Sequence, residues 1–113
     1  MELDSLPLEI DCDTVKSRLD GDPQHLLLDC REQAEYDTVH IDGATLLPMS
    51  ELMVRAEELR PFLDRPLSVY CHLGGRSRQV VQWLRQQGYQ QAQSMSGGIE
   101  AWAQQIEPGM QRY

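Results

Sequence analysis

LSVYCHLGGRSRQVVQWLRQQG, residues 67–88, decides the fold. Leu67 to Tyr70 is a short apolar run of strand length. A glycine-containing turn follows, and Val80, Val81 and Leu84 then recur at helical spacing until Gly88, which suits the C′ position of a helix. Strand, tight turn and helix within 22 residues is half of a βαβ unit, and the same rhythm extends outward in both directions. Upstream, Leu26, Leu27 and Leu28 form a continuous apolar run of the kind buried on both faces of a parallel sheet. Ala44 to Leu47 is a further strand, stopped by Pro48. Residues 31–40 between them, REQAEYDTVH, are polar and suit a short helical turn. Asp11 is placed to cap a helix with the stripe Cys12, Val15 and Leu19, which Gly21, Asp22 and Pro23 end. Residues 8–10 are a short apolar entry to it. Ser50 suits the cap of a helix with the stripe Leu52, Ala56, Leu59 and Leu63, interrupted by Pro61. Downstream, residues 92–95 form a weaker strand, and Ser96, Gly97 and Gly98 turn into a last helix with Ile99, Trp102 and Ile106. The polar tail from Pro108 is expected to fray.

Strands and helices alternate about every 20 residues, which predicts an α/β fold: an open, mostly parallel sheet with helices on both faces. The 113 residues, 41% apolar and 25% charged, suit a single domain over 1–113. No apolar run is long enough to span a bilayer, and the opening MELDSLPLEI is neither basic nor strongly apolar, so a cytoplasmic protein without membrane contact is expected. A net charge of -8 repels a phosphate backbone and argues against nucleic acid as partner. Cys12, Cys30 and Cys71 are an odd count without a C-x-x-C pair, which favours neither a disulfide framework nor a zinc ribbon. No metal or cofactor is expected, and a monomer is the expected state.

In open parallel sheets ligands bind beyond the carboxyl ends of the strands, which selects Asp29 to Arg31 and Cys71 to Ser77. The second stretch carries chemistry. Gly74 and Gly75 permit positive φ, so that successive amides can turn inward as an anion nest, and the helix that follows adds its unpaired N–H groups. A thiolate at Cys71 is favoured in that field. Arg76 adds a planar cation suited to an oxyanion, and Ser77 a hydroxyl or a cap, both placed just before the helix. His72 and Leu73 lie within the same turn and complete the candidate substrate-binding set. Cys30 reads as a small core residue and Cys12 as filling an apolar helix position. Asp29 and Arg31 read as a structural ion pair, with Glu35 as a further partner, and His40 as a structural histidine. Trp83 and Trp102 read as packing residues.

Cys71, Gly74, Arg76 and Ser77 match C-x-x-G-x-R-S, which resembles the active loop of single-domain rhodanese-type sulfurtransferases. LLLDCREQAEYDTVHIDGA, residues 26–44, resembles that family's D-x-R-x-x-x-E-[FY] and H-I-x-G-A signatures. Gly97, Gly98, Ala101 and Trp102 resemble its terminal G-G-x-x-A-W. One departure is Val39, where glycine is usual. The resemblance implies that Cys71 takes sulfane sulfur from a donor such as thiosulfate, or from a protein persulfide, and passes it from its own persulfide to cyanide, a thiol or a protein acceptor. A non-catalytic, partner-binding module of the same fold is one alternative. A cysteine phosphatase or arsenate reductase is another, disfavoured because only four residues separate Cys71 from Arg76 where the C-x5-R loop has five.

Overall fold

The computed structural model describes residues 6–113; the reading of the opening five residues, and that end of the 1–113 domain expectation, lie outside them. Five parallel strands form the sheet: β1 (Glu9–Ile10), β2 (Leu26–Asp29), β3 (Thr45–Leu46), β4 (Leu67–Tyr70) and β5 (Ala92–Met95), in the spatial order β1-β5-β4-β2-β3. The α/β expectation holds, with one strand more than the sequence reading supplied. Residues 9 and 10 pair with Ser94 and Met95 as an edge strand, too short to show a period.

Helices cover both faces. α1 (Cys12–Gly21) and α5 (Gly98–Gln105) pack on one face, where Cys12, Val15, Leu27, Tyr70, Met95, Ile99 and Trp102 form a continuous core. On the other, α4 (Gly75–Gln86) and the 49–62 segment bury Leu28, Cys30, Leu52, Leu59, Val69, Cys71, Val80, Val81 and Leu84. Alternation along a strand makes this division: Leu27 and Tyr70 point to the first face, Leu28, Val69 and Cys71 to the second. Asp11 caps α1 as expected, its carboxylate accepting the Thr14 amide at 2.8 Å. α2 (Gln33–Thr38) is the short helix of the polar segment, closed by a reciprocal box between Glu32 and Glu35. Val39 is extended there, with φ −164°, a conformation open to any residue, so the absent glycine costs nothing.

Three expectations are corrected. Residues 49–62 are not one α-helix: a single turn of α3 (Leu52–Arg55) lies between 3-10 segments at Met49–Glu51 and Ala56–Phe62. Pro61 removes an amide and the apolar spacing keeps only Leu52 and Leu59 fully buried, so the tighter winding serves as well. Ser50 caps nothing; its hydroxyl donates to Glu32 Oε1 at 2.7 Å. The tail does not fray either, because Arg112 pairs with Glu100 and the Tyr113 hydroxyl meets Arg31 and Glu35.

The connections fix where a ligand can sit. From β2 the chain moves outward to β3, and from β4 it moves the opposite way to β5. The loops leaving β2 and β4 therefore diverge, and the crevice between them is the switch point of the sheet. Asp29–Arg31 forms one bank and Cys71–Ser77 the other.

Candidate functional site

The β4–α4 loop bends back on the Cys71 sulfur. Gly74 has φ +115°, open to glycine at low cost, and this turn aims its amide at Cys71 Sγ, 3.1 Å away. The Ser77 amide, in the first turn of α4, donates to the same sulfur at 3.3 Å, and Cys71 Sγ and Ser77 Oγ are 3.5 Å apart. Ser77 Oγ is itself 2.7 Å from Ser94 Oγ on β5, which fixes its rotamer. The nest expected from two positive-φ glycines needs only one: Gly75 is already helical. Likewise Arg76 and Ser77 lie inside α4 and not ahead of it, because the turn is complete at Gly74.

The loop's carbonyls are held from behind by α5. Ile99 N donates to Cys71 O at 2.9 Å and Glu100 N to His72 O at 3.2 Å, so the otherwise unpaired amides of one helix end anchor the residues that start the other. This approach leaves no room at Gly98, where a Cβ would strike the His72 and Cys71 carbonyls. The G-G pair before α5 thus positions the cysteine loop.

Electrostatics follow from these contacts. The adjacent Cys30 thiol, the Ser77 hydroxyl and amide, and the Gly74 amide together bring the Cys71 thiol down to about 4 against the opposing effect of burial. Cys30 is pushed far up by its place beside that thiolate and by its own burial. Cys71 is 1% exposed, the floor of the crevice and not its rim.

Arg76 is placed differently from expectation. Its guanidinium forks onto the Glu35 carboxylate at 2.8 and 2.9 Å, and this pairing draws Glu35 down to about 2. Glu35 therefore belongs to Arg76 and not to Asp29 and Arg31. Those two form the expected buried pair: Arg31 Nε and Nη2 donate to Asp29 at 2.9 and 2.7 Å, and the Tyr70 hydroxyl adds a bond at 2.7 Å. His40 is structural as expected, stacked on Tyr36 and bonded to its carbonyl. His72 stacks on Tyr113 at the mouth, and Leu73 is 64% exposed beside it.

Sequence reasoning missed Ser94, Glu35 as the partner of Arg76, and Tyr113. Only Glu35 carried a signal, as an acidic residue on the loop facing the arginine across the switch point.

The fold is thus parallel α/β, with a buried cysteine cradled by two amides at its switch point. The chain belongs to the rhodanese family: the family model described as a Rhodanese-like domain matches residues 11–105. A protein of Allochromatium vinosum named Sulfurtransferase is 39% identical over 95 residues, covering 84% of this chain and 87% of its own length. The Probable adenylyltransferase/sulfurtransferase MoeZ of Mycobacterium tuberculosis is 40% identical over 100 residues, covering 88% of this chain. The chain spans only 25% of that longer relative's length. Among solved structures, the Rhodanese-like domain from Anabaena superimposes with a TM-score of 0.77 at 31% identity, covering 88% of this chain and 75% of that one. Among the described residues no helix is long and apolar enough to cross a membrane.

Proposed function

We propose that the protein is a sulfurtransferase that carries sulfane sulfur as a persulfide on Cys71. The observation that carries this reading is the convergence of the Gly74 and Ser77 amides on Cys71 Sγ. In the first step the thiolate attacks the outer sulfur of the donor. The donor's S–S bond breaks, and its leaving group, a thiolate or sulfite, departs with the electron pair. In the second step an acceptor thiolate or cyanide attacks the terminal sulfur and the Cys71 thiolate returns. The cradle stabilises the anion in both resting states, and neither step needs a metal or an organic cofactor. Retention of Cys71, Arg76 and Ser77 with this geometry supports catalysis over a purely partner-binding role. His72 and Leu73 form the mouth that a donor meets, and Gly74 and Gly75 shape the turn.

The Glu35–Arg76 fork bears on the donor. Glu35 neutralises the Arg76 charge and takes two of its five N–H donors, and the net charge of -8 repels a dianion at long range. A low-molecular-weight or protein-bound persulfide fits better than thiosulfate. Three free cysteines fit a reducing cytoplasm.

Mass spectrometry after incubation with each donor tests the reading, with about 32 Da expected on the Cys71 peptide. Persulfide formation from thiosulfate should accelerate as salt screens the repulsion, while that from a neutral persulfide should not. Absence of the added sulfur on Cys71 with every donor overturns the assignment.

A further inference from the structure

Cys30 has entered so far only as the thiol beside the Cys71 sulfur, and its place in the sheet points to a second role. Asp29 pairs with Tyr70 as the last register of β2 and β4, and the ladder continues one bond further, from the Cys30 amide to the Tyr70 carbonyl at 3.1 Å. Cys30 and Cys71 are therefore cross-strand neighbours. Both follow the parity of Leu28 and Val69 and enter the same core, so their side chains leave the sheet on one face. Neighbouring parallel strands run about 4.8 Å apart, within the Cα separation a disulfide spans. Cys12 is on the opposite face, its thiol directed to the Ser96 carbonyl, and cannot substitute.

We propose that Cys30 is a resolving thiol: when a peroxide oxidises Cys71, Cys30 closes a disulfide with it and shields the site from irreversible oxidation. The Cys71 thiolate attacks one oxygen of the peroxide. The O–O bond breaks, the other oxygen leaves as hydroxide or alkoxide, and Cys71 becomes the sulfenic acid, oxidised by two electrons while the peroxide is reduced. Cys30 Sγ then attacks Cys71 Sγ, the S–O bond breaks, and hydroxide leaves with the Cys30 proton as water. A dithiol reopens the bond by exchange. Cys71 is 1% exposed, so the oxidant must be a small one such as hydrogen peroxide, and the low thiol value at Cys71 keeps the attacking form present at neutral pH. While the disulfide holds, Cys71 cannot accept sulfur. The chemistry needs no sulfur donor, so it stands or falls separately from the transfer reaction.

The test is hydrogen peroxide on the full chain, raised from one equivalent to a several-fold excess, followed by alkylation and non-reducing peptide mapping. The expected result is a Cys30–Cys71 linked peptide within one chain, with Cys12 still alkylatable and Cys71 recovered by dithiothreitol. In Cys30→Ala, Cys71 should instead accumulate as sulfinic and sulfonic acid that dithiothreitol does not restore. The wild-type map decides the question even if that variant folds poorly. Overoxidised Cys71 without a linked peptide, or a link to Cys12 or to a second chain, overturns the proposal.

Discussion

The two banks of the crevice are built from similar residues and end in opposite states. On the β2 bank, Arg31 and Asp29 are both fully buried and pair with each other, while Tyr70, the Val39 carbonyl and Tyr113 take up the remaining bonds. On the β4 bank, the Gly74 and Ser77 amides are aimed at one sulfur, a weak acceptor until it loses its proton, whose thiol donates to the Ser77 hydroxyl 3.5 Å away. The first bank neutralises all its charge internally and can only hold position. The second reaches balance only when an anion sits at Cys71. A polar cluster is read as structure or as chemistry by whether its donors already have partners.

That contrast breaks most completely at Cys71. Cys71→Ser should abolish sulfur transfer, since a hydroxyl cannot carry a persulfide, while the chain still folds; its melting temperature should match the native protein near the folded thiol value and fall behind it as pH rises, because serine has no depressed ionisation to contribute. Thiosulfate-to-cyanide turnover beside melting curves across that pH range checks both halves, and appreciable turnover would remove the site from this bank. Asp29→Asn should do the reverse. It leaves Arg31 buried without its counter-ion, at a cost of about 3 kcal/mol or more, a large part of the stability of a small domain. Urea unfolding reads that loss, and in the native fraction Cys71 should still react rapidly with iodoacetamide. A stable Asp29→Asn protein with a slow Cys71 would exchange the roles assigned to the banks.

The difference between the banks was half legible in the sequence. Leu26 to Leu28 and Leu67 to Tyr70 announce buried parallel strands by apolar runs alone, and Cys71 is marked by a strand end and a glycine turn that few structural roles require. Partners across the crevice were not legible. Glu35 lies 41 residues from Arg76 and Tyr113 lies 82 from Arg31, distances over which only the folded chain decides who meets whom. β5 looked weak because Gln93 and Ser94 are polar, yet both are buried: Gln93 is bonded to Arg18 and the Pro7 carbonyl, and Ser94 to Ser77. Hydropathy sees the cost of burying such groups and misses the bonds that offset it.

Within the β4 bank, the contributions of side chain and backbone can be separated. Cys71 titrates at about 4, so its alkylation rate should stay level from neutral pH down to mildly acidic conditions and fall only as pH drops through that value. The sign for stability is the same. A thiol depressed on folding contributes fully above its unfolded value near 8.5, and that contribution is lost as pH falls toward the folded value. Ser77→Ala removes one donor to the thiolate and leaves the Gly74 and Ser77 amides, so the alkylation midpoint should rise by about one unit, the worth of one hydrogen bond to a charged group. A rise to the ordinary thiol value would mean that neither the amides nor the Cys30 thiol contributes.

The smallest effect tests the link between the banks. Glu35, on the α2 segment that follows β2, holds Arg76, so the guanidinium of the cysteine loop is already paired. Glu35→Gln removes that counter-charge while keeping the shape and one hydrogen-bond acceptor. Arg76 is then free to meet an anionic donor, and persulfide formation from thiosulfate should speed up severalfold with the Cys71 midpoint moving slightly down. The pair is more than a third exposed on the arginine side, so solvent screens most of the change. Formation from a neutral persulfide should barely respond, since no charge on that donor seeks Arg76. Stopped-flow rates for the two donors, measured in both proteins at fixed salt, decide it. Equal acceleration with both would show that Glu35 acts through loop geometry. A slower reaction with thiosulfate would show that the carboxylate aims Arg76 toward the donor, making the fork a positioning device and not a restraint.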